Sequence, residues 1–225
     1  MSRKIVRLTL DHLDTITGPC RSCLFWELDP VRRGRVDDAC AEKDAWVSEV
    51  LREWGSCGRV ALVDDAVVGY LVYAPEAFVP GAAGFPTAPV SSDAVLMTTA
   101  YVDPAQRGGG VGRMLVQGMA RDLIQRGGIA AVEAFGDPTG RGGHCVVPVD
   151  FLGGVGFKTH RPHPTAPRMR MDLRTAISWK SEVESAFDRL VGAIRPAPKS
   201  AGTGLDTPVA TSSLSRAATR PPCRF

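Results

Sequence analysis

Four glycines crowd into five positions of the segment "VDPAQRGGGVGRML", between an apolar run and a helix-like pattern. They are Gly108, Gly109, Gly110 and Gly112. A turn from a buried strand into a helix leaves the first N–H groups of the helix unpaired at the positive end of its macrodipole. Glycine lets an anion approach those groups without a Cβ in the way, and it allows the positive φ of a curling loop. The segment therefore predicts a site for an anion such as a phosphate.

Two common phosphate-binding motifs do not fit this loop. No Gly-Lys-Ser/Thr follows the glycines, which excludes a P-loop, and the spacing does not give Gly-x-Gly-x-x-Gly in its Rossmann context. The flanking elements predict a βαβ unit. "DAVLMTTAYV" is typical of a strand buried on both faces, the apolar stripe that starts at Val111 predicts a helix ending near Gly127, and "IAAVEAFG" predicts a second buried strand.

The rest of the chain predicts an alternation of strands and helices around this unit. "KIVRLTL" predicts a first strand, "DHLDTI" a short helix, and "DDACAEKDAWVSEVLREWG" a helix capped by Asp37 or Asp38. Two β-rich runs around Asp64 and Asp65 predict a hairpin, and a Pro/Gly-rich segment from 75 to 90 predicts a long loop. A short helix within 147–157 and two strands around a Pro-rich turn follow.

The glycine loop resembles motif A of the GNAT acetyltransferases, Arg/Gln-x-x-Gly-x-Gly/Ala, with Arg107, Gly110 and Gly112 at the matching positions. "VVGYL" is similar to the third strand of that family, and "FLGGVGF" to its Phe-Tyr segment. The resemblance covers roughly residues 5–173. It implies an α/β fold of GNAT type: a mixed, mostly antiparallel sheet with a central parallel pair that is splayed to hold acetyl-CoA, and helices on both faces.

By that resemblance the chain transfers an acetyl group from acetyl-CoA to an amine. The backbone N–H groups of the loop hold the pyrophosphate of the cofactor, and the end of the fourth strand serves the thioester carbonyl. The implied cofactor-binding residues are Ala100, Tyr101, Val102, Arg107, Gly108, Gly109, Gly110, Val111, Gly112 and Arg113. The reaction needs a base for the ammonium, stabilisation of the oxyanion and a proton for the departing thiolate.

The catalytic groups of the family are not all matched. Leu152 aligns where a Tyr often acts as general acid, and Cys145 where an Asn often stands. Candidate acids are therefore Cys145, His144 and Tyr101, unless the thiolate leaves unassisted. Cys145 could equally be a small buried apolar residue.

The general base is open as well. Glu133, inside the apolar strand "AVEAF", is costly to bury unless it is paired or functional, and is the leading candidate. A salt-bridged or edge-exposed Glu133 remains the alternative. Glu27 and Asp93 are weaker candidates.

The segment "CRSCLFWEL" carries a Cys-x-x-Cys pair, Cys20 and Cys23. One such pair without a second pair or a well-spaced His pair is weak evidence for zinc, and no metal site is expected. In the GNAT family this region walls the acceptor site. The resemblance therefore implies that Phe25, Trp26 and Glu27 bind the acceptor, with simple packing as the alternative.

Composition limits the class of protein further. Apolar residues make up 44% of the 225 residues and charged residues 23%, which is ordinary for a globular protein with a real core. The net charge of +3 arises partly in the tail and predicts no nucleic-acid partner. The chain shows neither an apolar run of about 18 residues, which a spanning helix needs, nor the apolar core of a signal peptide. We expect a cytoplasmic protein with reduced thiols and no membrane partner.

These observations predict one domain over residues 1–195. Within it, 19–57 is a helical segment that lines the acceptor site and 174–194 is a C-terminal helix, whereas the Pro/Ala/Ser/Thr-rich tail 196–225 is predicted to be disordered. The predicted activity is N-acetyl transfer to a small-molecule or peptide amine. The alternatives are a non-catalytic acetyl-CoA-binding or regulatory module and, third, a redox or zinc module built on the cysteines. The oligomeric state stays open, a homodimer included.

Overall fold

A mixed sheet forms the framework of the chain in the computed structural model, which describes residues 2–16, 19–140 and 145–174. Within those residues the sheet has eight strands, in the order β1-β2-β3-β4-β5-β8-β7, with the short β6 paired to β5. The strands are β1 (Arg3–Arg7), β2 (Gly58–Val63), β3 (Ala66–Ala74), β4 (Ala94–Val102), β5 (Ala131–Asp137), β6 (Val147–Pro148), β7 (Lys158–Arg161) and β8 (Arg168–Asp172). The helices are α1 (Leu10–Thr15), α2 (Pro30–Arg33), α3 (Ala39–Glu53), α4 (Val111–Arg126) and α5 (Val149–Gly154).

The central pair, β4 and β5, is parallel and opens toward its C-terminal end. Its register joins only Ala94–Leu96 to Ala131–Glu133. Further along, the register of β4 against β3 shifts so that Thr98 is an extra residue, a β-bulge that twists the strand. From Gly136 onward β5 pairs with β6. The mostly antiparallel sheet with a splayed parallel pair confirms the predicted fold.

Helices cover both faces of the sheet, because the strand residues alternate between two apolar clusters. Leu71 of β3 belongs to the cluster that α4 completes, whereas its neighbours Tyr70 and Val72 belong to the cluster that contains Trp46 and Val50 of α3. The members of both clusters are buried, so the sheet is packed on both faces.

The local signals in the sequence position the ends of the elements as predicted. Asp38 caps α3 by accepting from the N–H groups of Cys40 and Ala41 at 3.0 Å each. Asp64 and Asp65 both have positive φ, 47° and 65°, as a tight hairpin turn requires.

Other predictions needed refinement or lie outside the described residues. The segment 19–57 is only partly helical, since it consists of a 3-10 turn at Pro19–Arg21 followed by α2 and α3. The predicted C-terminal helix beyond Arg174 and the tail 196–225 lie outside the described residues. Among the residues described, no helix combines the length and the apolar character needed to cross a bilayer.

Candidate functional site

The glycine loop turns from β4 into α4 through two residues with positive φ. Gly108 has φ +78°, and Gly110, with φ +79°, is the N-cap residue of α4. The Gly110 carbonyl accepts the first bond of the helix, from the Met114 N–H at 3.1 Å. The N–H groups of the first helical turn have no partner inside the helix, so they face the loop as a cluster of donors. This is the geometry of an anion site.

Two different physical reasons explain the glycines. A Cβ at Gly108 or Gly110 would meet nothing within 4 Å, so the positive φ requires glycine there and the space above the loop stays open. At Gly112 a Cβ would come within 2.8 Å of the Phe151 ring, so this glycine permits close packing of α4 against α5.

Three arginines lie at the loop and donate to carbonyl groups in and around it. The Arg107 Nε donates to the Val102 carbonyl at 3.1 Å, and the Arg113 Nη2 donates to the Gly154 carbonyl at 2.9 Å. Arg3 Nη1, from the edge strand β1, donates to the Gly109 carbonyl at 2.7 Å. Their positive charge adds to that of the helix end and favours an anionic ligand.

The loop opens into a groove of about 580 Å³ between the splayed ends of β4 and β5. All the predicted cofactor-binding residues except Gly109 line it. Its other lining residues are Gln106, Leu115, Asp137, Gly140, Val146, Val147, Pro148, Phe151, Gly154 and Val155. Among these described lining residues, Tyr101 carries the only hydroxyl and Asp137 the only carboxylate. The Asp137 carboxylate accepts from the N–H and hydroxyl of Thr139, at 2.8 and 2.7 Å.

A second, inner cavity of about 20 Å³ lies beside the inner end of the groove. Cys145 lines the inner cavity, and the next residue, Val146, lines the groove. On the β-strand side, Tyr70 lines the inner cavity and packs its ring 5.6 Å from that of Tyr101, which lines the groove. The two spaces are therefore adjacent, with Tyr70, Tyr101 and the chain at 145–146 at their boundary.

The inner cavity combines a buried ion pair with thiols. The Lys43 ammonium donates to the Glu27 Oε1, and among the described residues the Glu27 Oε2 has no hydrogen-bond partner although it is buried. Cys23 and Cys145 meet with their sulfur atoms 3.2 Å apart. The hydrogen bond from the Cys145 thiol lowers the pKa of Cys23 to about 6, and the same contact raises the pKa of Cys145.

Glu133 lies elsewhere, in a cluster of ion pairs. Its carboxylate is fully buried, contacts Arg168 Nε at 3.1 Å and Arg170 Nη1 at 3.2 Å, and accepts from the Ser91 N–H at 3.1 Å. Its β4 partner in the register is Leu96, six residues before Val102. At about 3.3 Å per residue, that puts Glu133 about 20 Å from the glycine loop along the strand direction. Glu133 is therefore salt-bridged, which is the alternative interpretation that the sequence offered for this residue.

The remaining predicted residues divide between the inner cavity and the core. Trp26 and Glu27 line the inner cavity, whereas Phe25 packs edge-on against Trp26, with ring centroids 5.0 Å apart, and is not among its lining residues. Leu152 is completely buried, and its neighbour Phe151 lines the groove instead. His144 lies outside the described residues.

Arg3 and Asp137 at the site gave no signal in the sequence, and Phe151 was marked there only as part of the segment "FLGGVGF". Arg3 reaches the loop only because β1 is the edge strand beside β2, Asp137 because β5 ends beside the groove, and Phe151 because α5 packs on α4. No local pattern marks such residues, since each is placed by a long-range contact. Among the described residues, no group of three or more His, Cys, Asp or Glu side chains is arranged to hold a metal ion.

The fold is a mixed α/β sheet with a groove at its splayed centre, and the glycine loop at the mouth of that groove has the geometry of a cofactor-phosphate site. The model of the acetyltransferase (GNAT) family matches residues 22–142, more than half of the chain, and the chain belongs to that family. No curated protein matches it in sequence.

Several solved structures share the fold. An N-acetyltransferase from Staphylococcus aureus Mu50 is 15% identical, with a TM-score of 0.51, covering 77% of this chain and 99% of its own. YncA from Salmonella typhimurium, solved with its cofactor acetyl-CoA, is 17% identical, with a TM-score of 0.51 and coverage of 76% and 94%. PaiA N-acetyltransferase from Thermoplasma acidophilum, in complex with coenzyme A, is 14% identical, with a TM-score of 0.50 and coverage of 76% and 99%.

Proposed function

We propose that the chain transfers an acetyl group from acetyl-CoA to the amine of an acceptor. The observation that carries this proposal is the loop with left-handed Gly108 and Gly110, which exposes the start of α4 at the mouth of a groove between β4 and β5. The N–H groups after Gly110, with Arg107 and Arg3 beside them, fit a pyrophosphate. The groove behind the loop is lined largely by apolar groups, which fits a pantetheine arm. Family membership and relatives solved with coenzyme A or acetyl-CoA support the same cofactor.

The acceptor amine reaches the reaction centre through the inner cavity. The cavity has room for little more than a water molecule, so an amino group fits there while the body of the acceptor stays outside. A buried carboxylate oxygen needs a donor, and an ammonium group supplies one. We assign the Glu27 Oε2 as the atom that binds the acceptor ammonium and takes its proton, a role that the paired Glu133 is poorly placed to fill.

The departing thiolate needs a proton, and the groove offers one hydroxyl among its described residues, that of Tyr101. Cys145 is a weaker donor for two reasons. It lines the inner cavity rather than the groove, and its contact with Cys23 raises its pKa and so holds its proton more tightly. Tyr101 therefore takes the role of general acid in this proposal.

A non-catalytic acetyl-CoA-binding module is the second candidate function. The observation that favours it is Leu152, which stands where the family often has a catalytic Tyr and is buried completely in the core. Such a module would bind acetyl-CoA through the same loop but would show no amine-dependent turnover.

One assay distinguishes the two candidate functions. The release of free coenzyme A thiol from acetyl-CoA is measured with each of a panel of primary amines, from small polyamines to peptides. We expect at least one amine to give turnover that Glu27→Gln abolishes while acetyl-CoA still binds. Lys43→Gln is the matched control, because it breaks the same ion pair without changing the Glu27 Oε2. If both variants lose the same fraction of amine-dependent turnover, Glu27 has a purely structural role. If the chain binds acetyl-CoA but shows no turnover with any amine, the non-catalytic module is favoured.

A further inference from the structure

Two thiols from distant parts of the chain meet beside the inner cavity. Cys23 lies between the 3-10 turn at Pro19–Arg21 and α2, whereas Cys145 lies in the connection from β5 to β6. Both are free, half-buried thiols, and their sulfur atoms are 3.2 Å apart. Neither thiol contributes to the acyl transfer proposed above, so the close contact has no explanation in that reaction.

The fold holds the two cysteines in this contact. The indole Nε1 of Trp26, three residues after Cys23, donates to the Cys145 carbonyl at 2.9 Å. The Trp26 ring is itself stacked on Phe85, with centroids 5.1 Å apart and planes within 5°. The hydrogen bond and the stack fix one segment against the other, so the approach of the sulfur atoms is a property of the packed structure.

The two sulfur atoms differ in their readiness to react. The Cys145 thiol donates to Cys23 and lowers the pKa of Cys23 to about 6, with help from the Phe25 N–H and the Lys43 charge. Cys23 is therefore mainly a thiolate at neutral pH, the reactive form of cysteine. Burial raises the pKa of the neighbouring Cys20, and burial raises that of Cys57 to about 12, so these two thiols are comparatively inert.

We propose that Cys23 and Cys145 form a dithiol site that reacts with hydroperoxides, in which Cys23 attacks the peroxide and Cys145 completes a disulfide. In the first step the Cys23 thiolate attacks the terminal oxygen of the hydroperoxide. The O–O bond breaks, the alkoxide or hydroxide leaves and takes up a proton from water, and Cys23 becomes a sulfenic acid. In the second step the Cys145 sulfur attacks the Cys23 sulfur, the S–S bond forms, and the sulfenic oxygen leaves as water with the thiol proton. Two thiols are oxidised by two electrons, and the peroxide is reduced.

The geometry suits the second step. A disulfide bond is about 2.05 Å long, so the sulfur atoms have to approach by only about 1.1 Å from their separation of 3.2 Å. Oxidation of Cys23 also removes the thiolate whose contact is the largest cause of the raised pKa of Cys145. Cys145 thus loses its proton more easily once Cys23 has reacted.

The test needs no acceptor and no acetyl-CoA, so it is independent of the proposed function. The reduced full-length chain is treated with hydrogen peroxide and mapped by mass spectrometry of non-reduced peptides. We expect a Cys23–Cys145 bridge and a protein lighter by two hydrogens. Cys145→Ser should stop at a Cys23 sulfenic acid that a cyclic 1,3-diketone traps, and Cys20→Ser, the matched control, should form the bridge at the native rate.

A second readout follows the Cys23 thiolate directly. Its alkylation by iodoacetamide should rise with a midpoint near pH 6 in the native chain. In Cys145→Ala the midpoint should move toward about 8.5, because the hydrogen-bond donor is gone. A bridge that joins Cys20 to Cys23, or a Cys23 that remains a thiol in peroxide while the chain keeps its native thermal transition, would overturn the proposal.

Discussion

The replacement of Gly110 by glutamate tests the anion site most directly. Gly110 has φ +79°, so any other residue is strained there by about 1–2 kcal/mol. An added Cβ meets nothing within 4 Å, so no clash with the fold adds to that strain. A carboxylate at the start of a helix is itself favourable by about 0.3–1 kcal/mol, which offsets part of the strain. Gly110→Glu should therefore fold with only a small loss of stability.

The effect on cofactor binding should be much larger. A glutamate carboxylate about 4 Å from a phosphate charge costs about 4 kcal/mol at an effective dielectric constant of about 20, which corresponds to about 10³-fold in affinity. Gly110→Ala carries the same backbone strain without the charge, so it is the matched control. Calorimetry with acetyl-CoA should give dissociation constants that differ by about 10²- to 10³-fold between the two variants.

Salt provides an internal check on the cause. At about 1 M salt the screening length falls to about 3 Å, and the difference between the glutamate and alanine variants should shrink. If Gly110→Glu binds acetyl-CoA within a few-fold of Gly110→Ala at low salt, the phosphates are not held at this loop, and the assignment of the groove is refuted.

Four further variants test the other charged and polar groups. Tyr101→Phe should lower kcat by about 10²- to 10⁴-fold with little change in acetyl-CoA affinity, whereas Cys145→Ala should keep kcat within a few-fold of the native value. If steady-state kinetics show the opposite order, Cys145 and not Tyr101 is the general acid. Glu133→Gln should lower the melting temperature because it removes the buried carboxylate that pairs with Arg168 and Arg170. A lower kcat at unchanged stability would instead make Glu133 catalytic. Asp122 of α4 is buried, accepts from the Tyr73 hydroxyl of β3 at 2.6 Å and pairs with Arg59 of β2. Burial acts to raise the pKa of Asp122, but the Tyr73 hydrogen bond and the Arg59 charge hold that pKa below its ordinary value. The stabilisation by Asp122 is therefore present above about pH 4 and lost as the pH falls through the folded pKa. Asp122→Asn should lower the free energy of unfolding by about 3–5 kcal/mol at pH 7 and flatten its acid dependence, as urea titrations at pH 7 and pH 3 would show.

The sequence by itself determined most of the elements and the geometry of the glycine loop, because both depend on short-range chemistry. The run of glycines after an apolar strand sets the turn into α4 through the backbone freedom of Gly108 and Gly110. Local chemistry also sets the start of α3, where the Asp38 side chain accepts hydrogen bonds from the helix, and the hairpin turn, where Asp64 and Asp65 themselves adopt positive φ. The family resemblance rests on the glycine loop and two neighbouring segments, and the family match over residues 22–142 confirms it.

Only the tertiary structure decided which side chains share a space. The sequence favoured Glu133 over Glu27 as the base, yet Glu133 is paired with Arg168 and Arg170 from β8, whereas among the described residues Glu27 keeps a carboxylate oxygen without a partner beside the inner cavity. Cys23 and Cys145 are 122 positions apart, and their contact depends on the packing of Trp26 against the connection from β5 to β6. Burial, pairing and proximity of this kind arise from long-range contacts, which leave no periodic or local trace along the chain.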